Sequence, residues 1–184
     1  MKNLLILLTF CFGLVACGEG SDTTVFTKDD LCIESLGNKA MVCYGMDKTD
    51  AEKTLGTGTK ENFWLDYDNG VKVMYRDQKV VMILLVEKSE KSYSTVRGAK
   101  VGDLKDSILK LYGEKYPIVR EKSPRSVDYV YDLIGKKFID ASSIEKIKLE
   151  SQKDHLFFST VLNDNDDRVK MIYLSDLQAT MQLR

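Results

Sequence analysis

His155, Cys32, Cys43 and the acidic run Asp164, Asp166 and Asp167 are the residues of this 184-residue chain whose types and spacing could do chemistry. Histidine serves acid–base work near neutrality and binds metals. His155 is the only histidine, so no histidine pair exists for a metal, and at the opening of an expected strand it reads as a surface or capping residue. The acidic run suggests calcium, but a calcium loop needs glycine at its sixth position and glutamate at its twelfth. Counted from Asp164, those positions hold Val169 and Ser175. The run therefore reads as a solvated hairpin turn. There is no strand–glycine–serine–glycine elbow and no GxxxxGK[ST] phosphate loop. Thr57-Gly58-Thr59 follows an expected helix, where a phosphate loop would precede one. No catalytic residue, metal ligand or cofactor is expected, and the chain does not read as an enzyme.

Charge narrows the partners. The chain has 27 basic and 28 acidic residues and no long basic run, so nucleic-acid binding has no electrostatic footprint. Near the N-terminus, Lys2 precedes an apolar run from Leu4 to Ala16, 13 residues long. A bilayer span needs roughly 20 residues, whereas this length suits the apolar core of a signal peptide. The run ends in Leu14-Val15-Ala16-Cys17, which resembles a bacterial lipobox. Residues 1–16 are then a signal peptide that takes Cys11 with it. Cys17 is the lipidation site, carrying a diacylglycerol with a palmitate-type chain and anchoring the protein to a membrane. Residues 17–30, opening with Gly18-Glu19-Gly20-Ser21-Asp22, read as a flexible tether. Residues 31–184 form one domain. The expected location is the cell envelope: the periplasmic face of the outer membrane in a Gram-negative cell, the outer face of the plasma membrane in a Gram-positive one. Gly18 lacks the aspartate that commonly retains lipoproteins in the inner membrane.

Cys32 and Cys43 remain. Export places them where disulfides persist. The stretch LCIESLGNKAMVCY has a turn signal at Gly37-Asn38 between two strands. A two-residue loop there pairs Ser35 with Ala40, Glu34 with Met41, Ile33 with Val42, and Cys32 with Cys43. Directly opposed residues of an antiparallel ladder lie within disulfide range, so a cross-strand disulfide is predicted. Two free buried thiols or a metal pair are the alternatives, the latter a poor zinc site because zinc wants four ligands.

These elements belong to a repeat. Gly45 and Gly56 bracket ten residues, and Gly102 and Gly113 bracket ten more, 57 positions later. Asp47 and Asp103 stand near the two starts, each with an acid three residues on, which resembles an N-cap with a supporting acid. The closing glycines suit the left-handed position after a helix. Leu104, Ile108 and Leu111 form one apolar stripe. Phe63 to Glu87 reads as a three-strand meander. A three-residue loop Asp68-Asn69-Gly70 pairs Tyr67 with Val71, Leu65 with Val73 and Phe63 with Tyr75, all apolar or aromatic. The third strand then turns Val80, Met82, Leu84 and Val86 to the core. His155–Leu162 and Val169–Leu174 read as the equivalent later hairpin, with an insertion within residues 134–154. The expectation is an α+β fold: two tandem helix-plus-antiparallel-strand repeats, about 31–97 and 98–176, forming a sheet with short helices on one face.

Gly98-Ala99-Lys100-Val101-Gly102-Asp103, the helix after it, Tyr112-Gly113 and the weaker copy at Gly45–Gly56 resemble the tandem-repeat proteins related to β-lactamase inhibitor protein. They also resemble the SmpA/OmlA-type outer-membrane assembly lipoproteins. A proline often follows the second glycine closely in those families; here Pro117 stands four residues on, and the first copy has none. The resemblance implies binding through a sheet face. In the register above, Trp64, Asp66, Lys72, Met74 and Arg76 point away from the core, joined by Val81, Ile83 and Leu85. Trp64, Lys72, Met74, Arg76 and Ile83 are the expected partner-binding residues, because an exposed apolar patch with Trp and Arg marks an interface. If the 134–154 insertion or the tail from Gln178 to Arg184 covers that face, the patch is a second small core. The expected role is a lipid-anchored envelope protein working by protein–protein contact, as an assembly accessory or scaffold. The alternative is an inhibitor or immunity protein against a secreted or envelope enzyme or toxin.

Overall fold

Residue registers, not helices, organise this protein. The computed structural model describes residues 25–183; the expected signal peptide, Cys11, Cys17 and the first part of the expected tether lie outside the described residues. Phe26 is 1% exposed and packs against Tyr112, Tyr131 and Phe138, and Asp30 pairs with Arg97. Core packing therefore begins at residue 26, ahead of the expected boundary at 31, because the Phe26 ring is buried among Tyr112, Tyr131 and Phe138.

The chain starts with β1 (Cys32–Ser35) and β2 (Met41–Cys43). Their register is Cys32↔Cys43, Ile33↔Val42 and Glu34↔Met41. The two cysteines are disulfide-bonded, with Cα atoms 4.0 Å apart. Helix α1 (Lys48–Leu55) follows, then β3 (Thr59–Glu61), β4 (Trp64–Tyr67), β5 (Val71–Arg76) and β6 (Lys79–Leu85). Strand β7 (Tyr93–Thr95) returns to pair with β1, completing a small three-stranded sheet. The second half runs through α2 (Lys105–Tyr112), β8 (Ile118–Arg120), β9 (Ser126–Asp132), β10 (Lys137–Phe138), α3 (Ala141–Ile144), β11 (His155–Leu162), β12 (Val169–Asp176) and α4 (Leu177–Met181). The large sheet is antiparallel, in the order β10-β9-β11-β12-β6-β5-β4-β3, with β8 on β9. This is the expected α+β class with short helices. Among the described residues no helix is long and apolar enough to cross a membrane.

The two halves repeat bond for bond. Gly45 N–H donates to the Val80 carbonyl as Gly102 N–H does to Val169. Lys48 N–H donates to Gln78 as Lys105 N–H does to Asp167, and Val80 and Val169 return bonds to Met46 and Asp103. Gly45, Gly56, Gly102 and Gly113 all have positive φ (82, 88, 89 and 95°), which glycine adopts without a Cβ penalty. The helix starts differ from the aspartate pairing expected. Asp47 and Leu104 are the equivalent N-caps, bridging to Lys79 and Arg168 respectively. Neither side chain caps its helix; Asp47 instead meets Lys79, and Asp103 accepts from the Lys100 N–H.

Both hairpins carry the same β-bulge. Tyr75↔Val80 is followed by Met74↔Met82, and Leu162↔Val169 by Val161↔Met171. Each leaves one extra residue, Val81 or Lys170, unpaired, and a bulge reverses the alternation beyond it. The unit ends, β6 and β12, lie side by side with Ile83↔Leu174, Leu84↔Tyr173 and Leu85↔Ile172. Because Ile83, Leu84 and Leu85 correspond to Ile172, Tyr173 and Leu174, a pseudo-two-fold axis passes through the sheet between Leu84 and Tyr173.

One face of the sheet makes the main core. Val71, Val73, Val80, Ile83 and Leu85 from the first unit join Tyr129, Phe158, Val169, Ile172 and Leu174 from the second, under Ala51 of α1 and Ile108 and Tyr112 of α2. Tyr112 stacks on Phe158 with ring centroids 3.7 Å apart, and its hydroxyl donates to Thr95 Oγ1.

Candidate functional site

The opposite, outer face holds the residues expected to meet a partner, and the structure divides them. Tyr67↔Val71 and Leu65↔Val73 are as expected, with Gly70 at φ 78°. Phe63 falls before β4 and is 70% exposed. The bulge after Val80 was not foreseen, and it corrects the third strand. Val81 and Met82 both belong to the outer face, while Ile83 and Leu85 turn inward and are fully buried in the main core. Ile83 is thus not a partner-binding residue. Met74 is also buried, at 4% exposure, because Ala179 of α4 packs on Met74, Val81 and Met82, with Trp64 and Tyr173 alongside. The covered patch is a second small core.

Arg76 is committed as well. Its Nη2 donates to the Asp176 carboxylate at 2.5 Å, and Tyr44 Oη donates to the same oxygen at 2.9 Å. The other oxygen of Asp176 accepts the Ala179 N–H and caps α4. Asp176 is completely buried. Burial, and then the charge of Asp176, push the Tyr44 phenol well above its ordinary value. This is an anchor for α4 in which both Asp176 oxygens are engaged, while Arg76 Nη1 is buried without a hydrogen-bond partner. The sequence signal was Asp176 standing ahead of Leu177-Gln178-Ala179, an N-cap before an apolar pair.

Of the expected residues, Trp64, Lys72 and Arg76 are half-exposed. Lys72 Nζ lies 2.5 Å from Glu61 and 3.0 Å from Asp66. These bonds to Glu61 and then Asp66 hold the ammonium above its ordinary range.

A single cross-strand row spans the outer face: Asp128, Ser159, Tyr173, Leu84, Lys72, Asp66. It is symmetric about its centre, so Asp128 and Ser159 correspond to Asp66 and Lys72. The next row makes Ser126 the counterpart of Trp64 and Arg120 that of Glu61. Ser126 and Ser159 are far smaller than Trp64 and Lys72, and beside them lies a groove of about 260 Å³ lined by Arg120, Asp128, Phe157, Val161 and Tyr173 from the sheet and by Thr180 of α4 and Leu183 of the tail. Ser159 Oγ donates to Asp128 at 2.6 Å, and Arg120 pairs with the same carboxylate at 3.2 Å. Beside it, Val86, Met171, Lys88, Lys91 and Lys170 line a wider depression of 720 Å³. These surfaces can hold apolar side chains edged by hydrogen-bonding and charged groups.

His155 is buried, and its Nδ1 meets the Ser151 carbonyl at 2.8 Å. Asp167 pairs with Arg125, and Asp166 accepts the Arg168 N–H. Among the described residues no group of three or more His, Cys, Asp or Glu is placed to hold a metal.

No family model matches the chain, and no curated protein matches it. Among solved structures it is similar to an extracellular protein containing a SCP domain from Bacillus anthracis, at 10% identity and a TM-score of 0.46. The match covers 75% of this chain and 45% of that one. The chain thus spans less than half of that protein's length, and likeness at this level does not establish a common fold.

Proposed function

We propose that this chain is a lipid-anchored protein of the bacterial cell envelope that works by gripping another protein, without catalysis, as an assembly accessory or scaffold. The anchor rests on Leu14-Val15-Ala16-Cys17 and the cross-strand disulfide suits an oxidising compartment. The observation that carries the contact reading is the outer sheet face. Helix α4 packs on Met74, Val81 and Met82 through Ala179 and on Val130 and Phe157 through Leu177, and leaves Val161, Met171 and Tyr173 half-exposed. A contiguous apolar strip edged by charge is the composition of a protein interface.

Two measurements test this. Intact-mass analysis of the mature chain from membranes should find a diacylglyceryl Cys17, and Cys17→Ser should release the chain or block its processing. A processed Cys17→Ser chain that stays on membranes refutes the anchor. Detergent-purified wild-type chain analysed by light scattering should carry a second protein at fixed stoichiometry. Recovery of the chain alone under every extraction condition refutes the contact.

A further inference from the structure

The repeat isolates what the second unit adds. The first unit joins β4 to β5 through residues 68–70, whereas the equivalent strands β9 and β11 are joined through residues 133–154. The added segment opens with β10, which pairs Phe138 with Tyr131 and Lys137 with Asp132 on the edge of the large sheet. Around it stand apolar side chains that the core does not use. Ile134, in the β9–β10 turn, is 75% exposed. Tyr116 stacks on Phe138 with ring centroids 5.0 Å apart and is itself exposed, as is Val119 of β8 on the same edge. A depression of 490 Å³ lies between β8 and β10, lined by Tyr116, Pro117, Ile118, Val119, Phe138 and Ile139 among others. The N-terminal chain reaches the domain at this same edge: Phe26 packs on Tyr131 and Phe138, and Val25 before it is exposed.

We propose that this edge, β8 with β10, rests on the phospholipid bilayer that holds the Cys17 lipid, with Ile134, Tyr116 and Val119 at headgroup depth. The proposal rests on the lipid anchor under Proposed function and adds which surface of the domain meets the membrane. Three observations select a bilayer. First, Val25 stands eight positions after Cys17, a length of chain that spans at most about 29 Å. Phe26 fixes its end beside Phe138, so the lipid is tied to this edge. Phe63, 70% exposed in the β3–β4 turn, belongs to the opposite edge of the sheet. Second, the edge is a poor ladder for an extended protein segment. Strand β8 has three residues and β10 two, and Pro117 has no N–H to offer. A bilayer needs no ladder, only exposed apolar side chains and tyrosine. Third, the turn that carries Ile134 satisfies its own backbone. The Asp132 carboxylate accepts the Ile134 and Gly135 N–H groups, both at 2.9 Å, and a Cβ on Gly135 would collide with it. Ile134 can therefore enter a poorly hydrated layer without stranding these donors. Charge is balanced along the edge, with Lys115, Lys136 and Lys137 against Glu114, Asp132 and Asp140. The contact is thus apolar and indifferent to lipid charge, and the lysine stems can lie along it with their ammonium groups in water.

Trp64 is the only tryptophan, so Trp64→Phe gives a dark background into which Ile134→Trp, Tyr116→Trp or Phe63→Trp is placed one at a time. Each full-length chain is purified from membranes in detergent and reconstituted into vesicles of phosphatidylcholine brominated near the glycerol end of its acyl chains, where bromine quenches tryptophan. Emission from positions 134 and 116 should fall about twofold, as for side chains at the headgroup boundary, and emission from position 63 should not change. Added salt should leave the quenching intact. Ile134→Glu, at an exposed position, should abolish the quenching of Tyr116→Trp while the chain still floats with the vesicles. Hydrogen exchange of the unsubstituted chain gives the same reading if Trp64→Phe does not fold: residues 133–139 should exchange more slowly on vesicles than in detergent, and residues 59–64 should not. A chain that floats without quenching at 134 and 116, or with equal quenching at all three positions, would overturn the docking and leave the anchor standing. A blue shift at 134 without quenching would mean that a protein covers this edge and would overturn the bilayer as its occupant. A chain that carries no lipid by intact mass and does not float would overturn the anchor and the docking together.

Discussion

The two units of this protein share a scaffold and differ in what they place on it. Helices α1 and α2 have equivalent ends and equivalent bonds to their hairpins, yet α1 inserts Ala51 where α2 inserts Ile108, and Leu55 where α2 inserts Tyr112. On the outer face the balance reverses. The first unit presents Trp64 and Met74 beneath Ala179 of α4, while the second presents Val130 and Phe157 beneath Leu177 and a groove beside Ser126 and Val161. The second unit therefore places the larger side chains in the main core, and the two units share the covered part of the outer face. A duplicated fold can specialise in this way because a backbone register tolerates any side chain of fitting volume, so stability and recognition can be assigned to different copies.

The strongest way to break this comparison is to remove the aromatic plug of the second unit. Tyr112→Ala should cost about 4 kcal/mol, since it empties a fully buried ring site and removes one of the two hydrogen bonds that Thr95 Oγ1 accepts. Leu55→Ala, at the equivalent but partly buried position, should cost about 2 kcal/mol, toward the low end for such truncations. Urea denaturation of both variants measures the difference. Equal losses would mean that the helices contribute alike and that the asymmetry is cosmetic.

Next in size is the α4 anchor. Asp176→Ala removes the N-cap of α4 and leaves Arg76 facing Tyr44 without its carboxylate. Breaking one side of a buried pair costs about 3 kcal/mol, and lost capping about 1 kcal/mol. Arg76 keeps some solvent access, so about 3 kcal/mol in total is expected. The sharper readout is Trp64 fluorescence, which should shift to the red as the second core opens. Unchanged emission with reduced stability would show that α4 stays seated without its anchor.

How much of this was legible beforehand depends on the kind of signal. The disulfide register followed from one turn and one count, because strand pairing fixes every later pair once the loop length is set. The helix repeat was visible through its glycines, whose positive φ restricts the residue type. The bulge was hidden by strict alternation: Val80, Met82 and Leu84 make an apolar series as good as the true one. Aligning the units would have exposed it, since Val80, Ile83 and Leu85 have the spacing of Val169, Ile172 and Leu174. The same alignment sets Leu65-Asp66-Tyr67 against Val127-Asp128-Tyr129 and would have revealed the symmetric row. Where α4 lies across the outer face is a tertiary choice with no local marker beyond Asp176.

Alkaline titration compares the units through their tyrosines. Burial pushes the phenols of Tyr112 and Tyr129 above the ordinary value of 10.0, and Tyr67, the counterpart of Tyr129, moves the same way for the same cause. The folded state thus holds protons that the unfolded chain releases. This stability is intact below pH 10 and falls as pH rises above it, by up to about 1.4 kcal/mol per pH unit for each fully buried tyrosine. Tyr129→Phe should flatten that fall more than Tyr67→Phe, measured as the pH dependence of the urea midpoint. Equal slopes would show that the two phenols are held equally far above their ordinary value.

The smallest difference lies within the symmetric row itself. Lys72 bridges Glu61 and Asp66 at a half-exposed site, and such pairs contribute less than about 1 kcal/mol, screened by salt. Ser159 instead donates its hydroxyl to an Asp128 carboxylate that is 2% exposed. Removing a donor from a buried anion costs about 1–2 kcal/mol, and added salt cannot reach it to compensate. Lys72→Ala should therefore lose its effect in 1 M salt, while Ser159→Ala should keep its own. If both effects vanish together in salt, Asp128 is as solvated as Asp66, and the floor of the groove beside Thr180 and Leu183 is as wet as the first unit's rim.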